Sequence, residues 1–335
     1  MTPPTVPAVT DPRLTYPEAI VIGLLQGVTE LFPVSSLGHS VLVPAIVGGR
    51  WARDLSLTAE GSPYLAFLVA VHVATAIALV VYFRRDWLRI VAGLATTIRA
   101  RSVTTADQRL AWLLVAATVP VGIAGLALDH TLRTSLGKPV PASVFLMVNG
   151  LLLAAAERLR RRSGVEAAPV PSPGRVYVAA ATAGEPVTVA APAVPAATVD
   201  AAVASDRRLA AQSRAQVLFI GCAQILALLP GISRSGATMA AGLRRGLSHE
   251  DAARFAFLLA TPVIMAAGVL KLPELAATAG QGLLGPVLVG GVVAGAAAYL
   301  SVRFLTRYFE TRTLNPFAVY CLVAGAAGLV WTTLA

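Results

Sequence analysis

Apolar residues run almost continuously through this chain, and polar residues gather in the breaks between the runs. Tyr64–Phe83, Leu110–Leu128 and Ala142–Ala156 are nearly free of charge. With its flanks, each approaches or exceeds the roughly 17–25 residues a helix needs to cross a bilayer. His249–Leu270, Gly285–Val302 and Leu314–Leu334 read as spans as well. The runs do not alternate apolar with polar positions, which argues against membrane strands. Two other apolar helices are broken. Tyr16–Leu31, with Pro17 in its first turn, stops at Phe32–Pro33. The loop Pro33–Val34–Ser35–Ser36–Leu37–Gly38–His39 and the short apolar stretch Ser40–Val47 follow. Ser213–Leu229 stops at Pro230–Gly231 and resumes, after a Ser/Gly-rich turn, to Leu243. Asp86–Ile98 is shorter and amphipathic, suited to the interface or to a short buried helix. The predicted fold class is all-α: a polytopic integral membrane protein carrying two broken, re-entrant helix–loop–helix segments.

The segment Ser163–Ser205 has a different texture. It is rich in Ala, Val and Pro, and Pro169, Pro171, Pro173, Pro186, Pro192 and Pro195 forbid a long regular helix. It is expected to be a disordered connection flanked by basic clusters, with a small hairpin at Arg175–Thr182 as the alternative. The chain then reads as one membrane domain over 1–335. A first repeat at 16–162 and a second at 209–335 are joined by a low-complexity, cytoplasmic linker at 163–208.

Composition supports the membrane reading. Of 335 residues, 56% are hydrophobic and 13% charged, with a mean hydropathy of +0.72. A soluble α/β enzyme of this length would need far more polar surface. The net charge of +10 does not point to nucleic acid. Its arginines cluster where helices end, at Arg84, Arg85 and Arg89, at Arg158 and Arg160–Arg162, and at Arg207 and Arg208. That is the pattern of cytoplasmic anchors against anionic lipid. Cys222 and Cys321 lie in apolar stretches without metal-ligand spacing. Met1–Pro12 is polar and proline-rich and lacks a cleavable-signal pattern, so insertion is expected to depend on the internal helices.

An internal repeat is visible. Gly23, Gln26, Ser35 and Gly38 match Gly221, Gln224, Ser233 and Gly236 at a constant offset of 198 residues. Phe67–Leu68–Val69–Ala70 resembles Phe257–Leu258–Leu259–Ala260. Placing the arginine clusters inside puts Thr131–Pro139 outside and makes the first motif loop enter from outside. The second motif helix begins inside, after Arg207 and Arg208. The halves are therefore expected to be inverted, their breaks meeting near mid-membrane where protein or a wet cavity can satisfy them.

The polar residues of the two breaks form a coherent set. Gln26 and Glu30, four residues apart, share a helical face. Glu30 sits among Val28, Leu31 and Phe32, and an intramembrane carboxylate is a functional candidate by default. Beside them lie Ser35, Ser36 and His39, the last a candidate acid/base group. The second break supplies Ser233, Arg234, Ser235 and Thr238, with Gly231 and Gly236 letting backbone approach an anion. Arg234 presents a planar fork suited to phosphate oxygens, and a resting contact with Glu30 could give way to substrate. These are the parts of a phosphoryl-transfer site: anion clamp, hydroxyl nucleophile, proton carrier and carboxylate. The residues alone would also serve a polyprenyl-phosphate or anion transporter.

The segments Gln26–Gly–Val–Thr–Glu30–Leu–Phe–Pro–Val–Ser–Ser–Leu–Gly–His39 and Leu229–Pro–Gly–Ile–Ser–Arg–Ser–Gly–Ala–Thr238 resemble the two signature motifs of the undecaprenyl-diphosphate phosphatase (bacitracin-resistance) family. The resemblance implies hydrolysis of undecaprenyl diphosphate to undecaprenyl phosphate and inorganic phosphate in the bacterial plasma membrane, recycling the cell-wall lipid carrier. It implies a site open to the extracytoplasmic side and a divalent cation, Mg²⁺ or Ca²⁺. The family's acidic motif maps onto Gln26 and Glu30, its serine–histidine motif onto Ser36 and His39, and its phosphate-binding motif onto Ser233, Arg234, Ser235 and Thr238. Ser35 and Gly236 are expected to join the phosphate contacts, and Glu30 and Gln26 are candidate holders of the cation. Gln26 stands where the family carries Glu or Gln, which weakens any mechanism needing two carboxylates for metal. Ser36 is expected as nucleophile, His39 as its base and Arg234 as clamp; in the rival assignment His39 or Glu30 activates water. Bilayer lipid and the lipid substrate are the expected partners; homo-oligomerisation is left open.

Overall fold

The computed structural model describes residues 14–55, 63–131, 135–162, 201–271 and 283–334. All regular structure among them is helical. In chain order, α1 (Tyr16–Thr29), α2 (Ser36–Val47) and α3 (Gly49–Asp54) precede α4 (Pro63–Tyr82), α5 (Arg84–Ala100), α6 (Ala106–Thr131) and α7 (Pro139–Arg162). The second half comprises α8 (Ala201–Ala210), α9 (Arg214–Ala223) with a 3₁₀ extension at Gln224–Leu228, α10 (Arg234–Arg244), α11 (His249–Leu270), α12 (Leu284–Thr311) and α13 (Asn315–Leu334). Six of these helices, α4, α6, α7, α11, α12 and α13, are long and apolar enough to cross a membrane. The protein is thus an all-α polytopic membrane protein.

Helix starts follow local sequence. The Glu18 carboxylate accepts from the Thr15 N–H at 2.8 Å ahead of α1, and Ser213 Oγ accepts from the Gln216 N–H at 3.2 Å ahead of α9. Spans then pack closely where glycine lets backbones meet. A Cβ on Gly23 would strike the backbone of Gly290, seating α1 on α12, and one on Gly221 would strike Ala117, seating α9 on α6. The two glycines related by the 198-residue offset therefore do the same job in each half. Gly150 and Gly325 bring α7 and α13 together in the same manner.

Two stretches differ from expectation. The connection drawn to residue 208 is helical over Ala201–Ala210, because α8 has partners: Ser205 Oγ and Arg208 both donate to Asp251 on α11. Asp206 accepts from Arg89 of α5 at 2.6 Å and from Arg254 of α11 at 2.9 Å. Beyond the short apolar stretch Ser40–Val47, where no helix was expected, the chain forms the short helix α3 at Gly49–Asp54. The hairpin considered at Arg175–Thr182 lies outside the described residues.

Candidate active site

The two broken segments meet. Ser35 Oγ caps α2 by accepting from the Gly38 N–H (3.2 Å), and Ser233 Oγ caps α10 by accepting from the Gly236 N–H (3.1 Å). Ser35 also accepts from the Gly231 N–H at 3.2 Å, tying one loop to the other. Ser35 holds φ +69° and Gly231 φ +111°. At Gly231 a Cβ would collide with Ala142, so only glycine fits this crossing. Asn149 of α7 completes the joint: its Nδ2 donates to Pro33 O (3.0 Å) and its Oδ1 accepts from the Ser233 N–H (3.1 Å).

This joint aims two helix N-termini and their first residues, Ser36 and Arg234, into one cavity of about 360 Å³. Positive helix ends favour an anion there. Glu30 is the hub. Its Oε2 accepts from Ser36 Oγ at 2.5 Å and from Gln26 Nε2 at 3.0 Å, and its Oε1 accepts from Arg234 Nη2 at 2.5 Å. The Glu30–Arg234 contact anticipated from sequence is formed. Arg234 Nη1 is buried without a partner, so the guanidinium keeps a spare donor while it holds Glu30. Away from this hub the cavity is walled by apolar residues such as Leu65, Leu68, Leu228 and Ile264.

The expected residues separate into two groups. Glu30, Ser35, Ser36, Ser233 and Arg234 line the cavity. His39 does not reach Ser36: its Nδ1 lies 2.7 Å from Ser35 O and its Nε2 2.7 Å from the Tyr320 hydroxyl, with the two rings stacked. Both nitrogens are occupied in holding the α2 cap, and Ser36 is given to Glu30 instead. Ser235 Oγ bonds Ser233 Oγ and Phe32 O, and Thr238 Oγ1 bonds Arg234 O within its own helix. Ser235 serves the joint between loops, Gly236 the α10 cap and Thr238 its own helix, and none of them lines the cavity.

One residue was not anticipated. His72, on α4, lines the cavity with its Nε2 3.3 Å from Glu30 Oε2. A lone histidine inside an apolar span was the available signal, since ionisable groups there are functional by default.

Few donors beside Glu30 are left for the implied cation. Every Glu30 oxygen is already engaged; among the described residues, Oε1 of its neighbour Gln26 is buried without a partner, as is Oε1 of Gln224, which lines the same cavity. Among the described residues, no cluster of three or more His, Cys, Asp or Glu side chains could hold a metal. Mg²⁺ typically binds through one or two carboxylates together with waters and substrate phosphates rather than in an all-protein cage.

Fold and site together define an integral membrane protein with a buried Ser–Glu–Arg centre beneath apolar walls. Residues 19–327 match the family of the bacitracin resistance protein BacA, and the chain belongs to that family. It is 59% identical to the undecaprenyl-diphosphatase of Mycolicibacterium paratuberculosis, over 96% of this chain and 99% of that one. It is 56% identical to undecaprenyl-diphosphatase 1 of Frankia casuarinae (94% and 98% covered). It is 39% identical to undecaprenyl-diphosphatase 2 of Chromobacterium violaceum, again over 94% and 98%.

Proposed function

We propose that this protein hydrolyses undecaprenyl diphosphate to undecaprenyl phosphate and inorganic phosphate, with Ser36 as nucleophile and Glu30 as its base. The observation that carries the mechanism is the 2.5 Å hydrogen bond from Ser36 Oγ to a Glu30 oxygen whose partner oxygen is held by Arg234. Ser36 Oγ attacks the terminal phosphorus and its proton passes to Glu30 Oε2. The bond from that phosphorus to the bridging oxygen breaks, and undecaprenyl phosphate departs. Water then cleaves the phosphoserine. Arg234 Nη1 and the N-termini of α2 and α10 stabilise charge on the transferred group. His39, Ser35 and Ser235 hold the loops, and Thr238 its own helix, rather than touch the reacting atoms.

A divalent cation enters this reading on the diphosphate oxygens, as part of the substrate, and no step is assigned to it. Rates should then follow the concentration of the metal–diphosphate complex.

The matched roles of Gly23 and Gly221, and of the capping serines Ser35 and Ser233, support two inverted repeats with re-entrant breaks. The arginine pattern supports a cavity open to the extracytoplasmic side. The prenyl chain would stay in the bilayer along the apolar walls.

Phosphate release from a prenyl diphosphate by purified protein in detergent tests the function. Saturable release that falls about 10²–10³-fold in Arg234→Ala is expected, the scale of losing one oxyanion donor. No release from folded, lipid-supplemented protein would contradict it and turn attention to lipid transport in liposomes.

A further inference from the structure

We propose that His72 is a further catalytic residue, which gives a proton to the departing prenyl phosphate and takes one from the water that follows. The inference rests on the Ser36 reading above. His72 Nδ1 lies 2.7 Å from Leu68 O, one turn back along α4. A carbonyl can only accept, so Nδ1 carries a hydrogen and Nε2 is the nitrogen turned to the cavity. Nε2 then faces Glu30 Oε2 at 3.3 Å. In the proposed resting state Nε2 is protonated as well, and the imidazolium pairs with the ionised carboxylate. Of the other charged groups, Arg234 approaches Glu30 through its opposite oxygen, and Lys271 lines the same cavity.

Glu30 Oε2 is shared by Ser36 and His72, and this sharing couples the two proton transfers. When Oε2 takes the Ser36 proton, it ceases to be an anion and loosens its hold on His72. The Nε2–H is then free for the bridging oxygen as the P–O bond breaks. After this half-reaction Glu30 is neutral and His72 is neutral. In the second half, water attacks the phosphoserine and its proton goes to His72 Nε2. The Ser36 oxygen leaves with the proton stored on Glu30. The cycle returns to an ionised Glu30 and a protonated His72, having consumed one water and released one phosphate. His39 is not placed for this role: it does not line the cavity, and its nitrogens meet Ser35 and Tyr320.

The test compares a short prenyl diphosphate with its analogue carrying sulphur between the two phosphorus atoms, whose thiophosphate leaving group needs no proton. His72→Gln should lose about 100-fold or more on the oxygen-bridged substrate, the usual scale of general acid catalysis. Its first release of thiophosphate from the sulphur analogue should fall by less than about 10-fold. With no base for water, that release should come as a burst of one per protein, leaving phosphate on Ser36. The retained burst also shows that the variant is folded. Equal losses on the two substrates, or unchanged turnover of the oxygen substrate, would overturn the role of His72. Undiminished turnover by Ser36→Ala would instead strike the nucleophile assignment, so the two failures can be told apart.

Discussion

Four side chains from four helical elements converge on one carboxylate, and their chemistry divides cleanly. Glu30 accepts from Ser36, Gln26 and Arg234 and faces His72. Glu30→Gln keeps the shape but cannot take a proton and surrenders the Arg234 ion pair. Its kcat should fall about 10²–10⁴-fold, as for a lost general base, with phosphate release as the assay and thermal unfolding as the check on folding. Tyr320→Phe removes a hydrogen bond to His39 at a half-exposed position without entering the cavity. It should lower stability by about 1 kcal/mol and reduce kcat far less than Glu30→Gln does. At this scale the sequence was informative about residue types. Glu30, Ser36 and Arg234 stood out as an intramembrane carboxylate, a loop hydroxyl and a phosphate-compatible guanidinium. The partner of Ser36 was not legible, because which neighbour a hydroxyl meets depends on how α2 rotates about its cap. His39, three residues on along the same helix, was the nearer partner in sequence, and in the structure it bonds Ser35 and Tyr320 instead.

Elements set that rotation. Ser35 and Ser233 each cap a helix, and Asn149 spans the two loops with bonds to Pro33 and Ser233. Asn149→Leu would leave the buried Ser233 N–H and Pro33 O short of partners, each costing about 1–3 kcal/mol. A Tm drop larger than that of a surface substitution such as Arg161→Ala, together with a lower kcat, is expected. Gly231→Ala places a methyl against Ala142 at φ +111° and should disrupt the crossing outright, abolishing turnover. The breaks at Pro33 and Pro230, the six spans and the amphipathic α5 were readable from apolar run length and proline position. Asn149 was not, since a single amide in an apolar span carries no local sign of its long-range partners. Nor was α8, whose short alanine-rich sequence is held helical against α5 and α11 by Asp206, Arg208 and Ser205.

Across the whole molecule, the account needs a lipid headgroup to enter a polar centre while its chain remains among apolar walls. It also needs the two halves to be inverted. In a background with Cys222→Ser, Lys271→Cys at the cavity rim should react with an impermeant thiol reagent from outside intact cells. Arg161→Cys at the end of α7 should react only after permeabilisation. The opposite pattern would reverse the proposed orientation. The central claim is that Ser36, poised on Glu30, attacks the terminal phosphorus. The most direct measurement is the rate of phosphate release from a prenyl diphosphate by folded Ser36→Ala beside the unaltered protein. The account predicts a loss of about 10³-fold or more, in line with removal of a nucleophile. Turnover close to that of the unaltered protein would contradict it and hand the attack to water.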